Sequence, residues 1–143
     1  MSVRARLWMV VLALLCGLAE RASADPWADY VLHCQGCHRP DGSGSAGGAP
    51  PFAGNLHRFV LTPEGRAYLL RVPGVAHAEL DDARLATLLN WILAQFDPAP
   101  TGMEWTPFSP EEVAKLRHVP LLSVPQARHH ALLAADEGEA RKR

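Results

Sequence analysis

The sequence has few of the residues from which several common kinds of site are built. It contains three cysteines in 143 residues, and none of them follows Cys37. A structural zinc site usually needs four close Cys or His ligands, so a zinc site would lack its second cysteine pair here. Neither sign of charge is in excess, because the formal net charge is −1. The composition therefore does not favour nucleic acid or an anionic membrane surface as a partner.

One motif near the start of the chain carries the chemistry, Cys34-Gln35-Gly36-Cys37-His38. Two thiols three positions apart on one helical turn can each bond a vinyl group of the same porphyrin, and the histidine that follows can bind the iron. This C-x-x-C-H spacing indicates the covalent attachment of one haem c. Two other roles for the cysteine pair fit the sequence less well. A thioredoxin-like redox pair would need a surrounding βαβ pattern, and a disulfide across so short a loop would constrain little.

The first 24 residues have the pattern of a secretory signal peptide. Arg4 and Arg6 precede an apolar run over residues 7–18, and Ala22-Ser23-Ala24 forms an A-x-A cleavage site. We therefore expect residues 1–24 to be removed and the mature protein to lie in the periplasm, because c-type haem is attached outside the cytoplasm. Only an uncleaved segment would give a membrane anchor, and its apolar run is short for a span.

The spacing of apolar residues predicts helices and no strands. A first helix begins at Pro26 and runs into the motif, a second covers residues 62–71, and the strongest covers residues 81–96. After these, Ser109 is placed to cap a short helix, and residues 126–135 form another. The chain is therefore expected to be all-α.

Two segments resemble a known family. CHRPDGSGSAGGAPPFAG, residues 37–54, resembles the haem-binding segment of class I c-type cytochromes, and DARLATLLNWILAQF, residues 82–96, is similar to their C-terminal helix. The resemblance implies a small cytochrome c fold around one covalent haem over residues 25–97, followed by a partly helical C-terminal extension over residues 98–143. The longer segment over residues 66–93 also looks like small cytochromes associated with bacterial amine- or alcohol-oxidising dehydrogenases.

The same resemblance implies a partner for the proximal histidine. In the family, a backbone carbonyl of a proline-containing loop accepts a hydrogen bond from Nδ1 of that histidine and fixes its orientation. Pro50 and Pro51 stand at the matching place in this sequence, and Pro51, directly before Phe52, fits better.

The chain departs from the family at the distal ligand. Most members place an axial methionine in the loop before the final helix, and residues 72–79 contain no methionine. His77 is the only good ligand in that loop and is the predicted distal ligand, since a neutral imidazole binds haem iron well. Met103, after the helix, is the alternative, His57 is a third possibility, and an open iron is a fourth.

Two classes of function remain open at this stage. The favoured one is an electron carrier and not an enzyme, namely an exported mono-haem cytochrome that passes single electrons from a dehydrogenase to an oxidase or another cytochrome. The alternative is a haem enzyme, or a protein that binds a gas or peroxide at an open distal site. A peroxidase-like site needs polar distal groups, and the sequence has no recognisable distal Arg-His motif.

Overall fold

The computed structural model describes residues 25–141, which form eight α-helices and no β-strand. The all-α prediction is therefore confirmed, while the predicted signal peptide, residues 1–24, lies outside the described residues. In chain order the helices are α1 (Pro26–His33), α2 (Gln35–His38), α3 (Leu56–Val60), α4 (Pro63–Arg71), α5 (Pro73–Ala76), α6 (Asp82–Phe96), α7 (Pro110–Leu116) and α8 (Val124–Ala140). Of these helices, none is long and apolar enough to cross a membrane.

The helix starts follow from local side-chain chemistry. Each longer helix opens with a polar side chain that accepts a hydrogen bond from a free backbone N–H of its first turn. Three of these contacts span 2.8 to 3.1 Å. The capping residues are Asp25, Thr62, Asp81, Ser109 and Ser123. Four of the five helices also have proline in their first turn, where its missing N–H costs nothing.

Helices α1 and α6 pack against each other and form the centre of the core. Tyr30 of α1 is fully buried, and Leu85 and Leu88 of α6 have at most 1% of their surface exposed. The side chain of Arg84 donates to the buried carboxylate of Asp29 at 2.5 Å, which joins the two helices at one end. Apolar contact and one ion pair together fix how these helices lie on one another.

The chain after residue 97 packs into the same core. Phe108 and Val113 are buried in one cluster with α1 and α6, and α7 packs along α6. Helix α8 packs on α4 and α3, where Ala131 is buried with Phe59 and Tyr68. The C-terminal extension, residues 98–143, is therefore not a separate appendage in its described part.

Polar contacts reinforce this attachment. The Asn90 side chain on α6 accepts from the backbone N–H of Phe108 at 2.8 Å and donates to its carbonyl at 3.0 Å. Arg66 on α4 makes a two-pronged contact with Glu112 at 2.7 and 2.5 Å. A bidentate arginine–carboxylate pair fixes direction as well as distance, so it sets the position of α7 on the molecule.

Candidate functional site

An apolar cavity of about 360 Å³ lies inside the helices, within the size range of small-molecule and cofactor sites. Most of its lining is aliphatic or aromatic, contributed by α3, α4 and α6 and by the segments around them. Cys34, Cys37 and His38 all line it, so the predicted motif and the cavity belong to one site. His33, the residue before the motif, lines it as well.

The backbone of the motif forms a single tight turn. Helix α1 ends at His33, with Cys34 as its C-cap residue, and the N–H groups of Cys37 and His38 both donate to the Cys34 carbonyl, at 3.2 and 3.0 Å. Cys34 is half-buried, and Cys37 is exposed. This turn presents two thiols and one imidazole to the same cavity from neighbouring positions.

The loop after the motif folds back under His38. The Gly44 N–H donates to the His38 carbonyl at 3.0 Å, and the Phe52 N–H donates to the Gly42 carbonyl at 3.0 Å. Gly42 has a φ of +70°, and a Cβ there would lie 2.8 Å from the Phe96 ring. Only glycine fits such a backbone without strain, which explains one glycine of this loop. The fold-back places the Phe52 ring stacked on the His38 ring, with centroids 4.0 Å apart.

His38 has an unusual surrounding for a histidine. Its Nδ1 atom is buried and has no hydrogen-bond partner among the described residues. Burial lowers the pKa of His38, although the backbone carbonyl of Pro50 beside the ring acts in the opposite direction. The neutral imidazole that results is the form that binds a metal ion.

Pro51 was the predicted carbonyl partner of the His38 ring, and in the structure Pro50 lies in that position. The carbonyl that faces the His38 ring belongs to Pro50, although it does not reach the geometry of a full hydrogen bond. The Pro51 carbonyl accepts from the side-chain amide of Asn55 at 3.2 Å. Because its carbonyl is the one that faces the ring, Pro50 is the better candidate for the acceptor of the Nδ1 proton.

The surroundings of Cys34 differ from those of a redox-active or metal-binding cysteine. Burial, with Asp29 and Cys37 adding to it, raises the pKa of the Cys34 thiol to about 11. A redox-active or metal-binding cysteine needs the thiolate and has a lowered pKa. Within residues 25–141, no three His, Cys, Asp or Glu side chains form a group that could hold a metal ion.

The residues proposed from sequence as distal ligands do not line the cavity. His77 is exposed, and its N–H closes α5 by donating to the Pro73 carbonyl at 3.1 Å. Met103 lies outside the lining, in a turn in which its N–H donates to the Pro100 carbonyl at 3.0 Å. His57 is held elsewhere, since its Nδ1 lies 2.8 Å from a carboxylate oxygen of the buried Asp97.

Three polar lining residues were not identified from the sequence. Asn55, Tyr68 and Arg128 all reach the cavity, and an Arg128 guanidinium nitrogen lies 3.4 Å from the Asn55 side-chain oxygen. Burial raises the pKa of Tyr68, while the nearby Arg128 lowers it by a smaller amount. No local pattern marks Arg128, because it enters the site from α8, far along the chain.

Comparisons with known proteins give a consistent result. A cytochrome c-552 of Thermus thermophilus is 33% identical over 127 residues, covering 76% of this chain and 84% of the relative. A second cytochrome c-552 of Thermus thermophilus is 32% identical over 108 residues, covering 63% of this chain and 82% of the relative. No family model and no solved structure matches the chain.

Identity of this extent over most of both chains establishes relatedness, and it agrees with the all-α fold and the motif beside the cavity. Haem c, held covalently, is the cofactor of this family, and an electron carrier rather than an enzyme is its function. The chain therefore belongs to the class I c-type cytochromes.

Proposed function

We propose that Cys34 and Cys37 carry the haem through two thioether bonds and that His38 is its proximal iron ligand. The observation that carries this proposal is the convergence of all three side chains on one apolar cavity. The Pro50 carbonyl beside the His38 ring supports it further, because a metal-binding histidine donates the N–H of its other ring nitrogen to such a group. The residues present thus fit a covalently attached haem.

When bound, the haem supplies a one-electron change between Fe(III) and Fe(II). The chain contributes orientation and exclusion of water. Phe52 stacks on the His38 ring and Pro50 faces it, so the imidazole is held in one orientation. The aliphatic side chains of α6 on the cavity wall keep the site dry, which limits the rearrangement of solvent when the charge changes.

Arg128 is the residue we assign to the carboxylates of the haem. Three arginines of α3 and α4 are engaged elsewhere. Arg58 contacts Asp136, Arg66 contacts Glu112, and Arg71 donates to backbone carbonyls after α7. Arg128 lines the cavity, and its one hydrogen bond in the described part of the chain is a long contact with Asn55 at 3.4 Å, so its guanidinium is available to a carboxylate there.

The surface beside Cys37 is the proposed site of electron exchange. Cys37 is exposed, and α1, which leads into the motif, presents an apolar patch of Trp27, Val31 and Leu32. Leu32 is 75% exposed. Exposed apolar side chains in a group mark a surface for docking another protein. We assign to this surface a dehydrogenase as electron donor and an oxidase or another cytochrome as acceptor.

Export completes the proposal. Residues 1–24 direct the chain out of the cytoplasm, and cleavage before Asp25 releases it into the periplasm. The charged N-terminal arginines, the apolar run and the A-x-A site of the sequence support this step. The sequence resemblance to cytochromes of amine- and alcohol-oxidising dehydrogenases supports the choice of donor.

Mass spectrometry of the exported protein tests the attachment. In a host with haem-attachment machinery, the mature chain should begin at Asp25 and carry the mass of one haem. Cys34→Ala and Cys37→Ala should each lower the yield of haem-loaded protein strongly, because one thioether bond is lost. Cys16→Ala is the matched control, and it should leave the mass of the mature protein unchanged. A mature protein without added haem would refute the proposal.

A further inference from the structure

We propose that the sixth coordination position of the haem iron is left by this chain to a small neutral diatomic molecule, of the class of carbon monoxide or nitric oxide. The inference rests on the proposed attachment of the haem at Cys34, Cys37 and His38. It concerns a ligand-binding site in addition to electron transfer. Its ground is the set of side chains that line the cavity.

Apart from His33 and His38, the histidines and the methionine of residues 25–141 lie outside the cavity lining. Nδ1 of His57 lies 2.8 Å from a carboxylate oxygen of Asp97. The backbone N–H of His57 donates to the same carboxylate at 2.9 Å, so both its side chain and its backbone are held there. His77 is exposed, and Met103 is half-buried outside the lining. The remaining histidines after α7 are exposed as well, namely His118, His129 and His130.

Two side chains in the lining could in principle bind iron besides His38. His33 directly precedes Cys34, whose thioether bond would hold that part of the backbone at the porphyrin edge rather than over its face. Tyr68 packs on the Phe59 ring with centroids 5.1 Å apart, and burial raises the pKa of its hydroxyl. A phenol binds haem iron as the phenolate, so this raised pKa works against coordination of the iron by Tyr68.

The segment that normally supplies the distal ligand supplies aliphatic groups here. Leu69, Val72, Val75 and Ala78, from α4, α5 and their flanks, all line the cavity, and the short helix α5 leaves His77 on the outside. Aliphatic surroundings favour a small uncharged ligand over a charged or strongly hydrated one, because the latter would lose hydration without compensation.

The same surroundings define what the site would not do. Cleavage of a peroxide O–O bond needs polar distal groups that stabilise the separating charge. The aliphatic residues just named offer none. Of the three polar lining residues, Arg128 is assigned to the haem carboxylates, Asn55 contacts Arg128, and Tyr68 packs on Phe59. The site would therefore hold a diatomic ligand reversibly, without peroxidase chemistry, and this agrees with an electron carrier rather than an enzyme.

Spectroscopy of the haem-loaded protein tests the proposal. The ferric form should give high-spin absorption and electron paramagnetic resonance signals. After reduction with dithionite, carbon monoxide should shift the Soret band fully, with one molecule bound per haem. His77→Ala, Met103→Ala, His57→Ala and His33→Ala should leave both results unchanged, because none of these side chains binds the iron.

The opposite results would overturn the inference. A low-spin ferric spectrum that becomes high-spin in one of the four variants would assign the sixth ligand to that residue. A low-spin spectrum that survives in all four, together with no response to carbon monoxide, would show a ligand outside this set. The mass of the same samples reports haem attachment separately, so a failure of the proposed function is distinguished from a failure of this inference.

Discussion

Phe108 offers the sharpest test of whether the C-terminal extension is part of the haem-containing core. It lies in the segment between α6 and α7, is only 4% exposed, and lines the same cavity as the haem-attachment motif. The Arg66 guanidinium lies 4.3 Å from the centre of its ring. Replacing Phe108 by alanine removes this ring and leaves the backbone contacts with Asn90 in place.

The expected cost follows from the burial of the ring. A buried Phe→Ala substitution costs about 3–5 kcal/mol, because apolar surface is lost and a cavity remains. The cation–π contact with Arg66 contributes about 0.5–1 kcal/mol of that amount at a partly exposed site. We therefore expect Phe108→Ala to lower the free energy of unfolding of the haem-loaded protein by about 3–4 kcal/mol.

Urea denaturation followed by circular dichroism measures this change. With a typical urea dependence of about 1–3 kcal/mol per molar, the midpoint should fall by at least about 1 M. Leu122→Ala is the matched control in the same extension, because Leu122 is 102% exposed and its removal should change little. If Phe108→Ala lowered stability by no more than this control, the extension would not be part of the core.

Two further predictions concern charged groups. Although burial raises the pKa of Asp97, hydrogen bonds from His57 and Gly54 outweigh it and hold that pKa below its usual value. Its contribution to stability is thus full above about pH 4, the usual value for aspartate, and is lost as the pH falls through the lowered pKa. Asp97→Asn should therefore lower stability by about 1–3 kcal/mol at pH 7, and the difference from the parent should shrink in urea titrations below about pH 4. Arg128→Gln should lower the reduction potential, by roughly 60 mV for a tenfold change in the one-electron equilibrium, because a positive charge near the haem favours Fe(II). Arg141→Gln, at the surface, should leave a potentiometric titration unchanged, and equal potentials in both variants would exclude Arg128 from the haem site.

The sequence was sufficient to predict local structure wherever that structure depends on residues close together in the chain. The spacing of Cys34, Cys37 and His38 predicted a single turn, and the three side chains share one cavity wall. Ser109 was expected to cap a helix, and α7 begins there. These features depend on contacts three or four residues apart, which a linear pattern displays directly.

Features that depend on distant residues were not visible in the sequence. Asn90 stands on α6 as one polar residue among apolar ones, and its meaning depends on Phe108, to which it bonds twice. Arg66 and Arg128 are ordinary surface residues by sequence, yet one holds α7 and the other reaches the cavity. The one feature in the sequence that indicated such a distant contact was Asn90, a polar residue among the apolar residues of α6.

His77 illustrates the limit of arguing from a family's usual loop. It occupies the segment that normally carries the distal ligand in this family. However, Pro73 begins the short helix α5 in this segment, and the helix determines which side chains point into the cavity. Val75 and Ala78 face the cavity, while His77 is exposed after the helix ends. Position along the chain therefore predicted the segment at the site but not the side chain that points into it.

The exposure of the residues around the cavity bears on electron transfer. Cys37 is exposed, as is the apolar patch on α1, and in the proposed arrangement a partner protein approaches the haem there. Helix α8, which belongs to the C-terminal extension, supplies Arg128 and Val124 to the lining and packs on α4 and α3. In the proposed arrangement, the extension closes one route to the haem and leaves the route beside Cys37. The extension would then both stabilise the core and restrict where a donor or acceptor can dock.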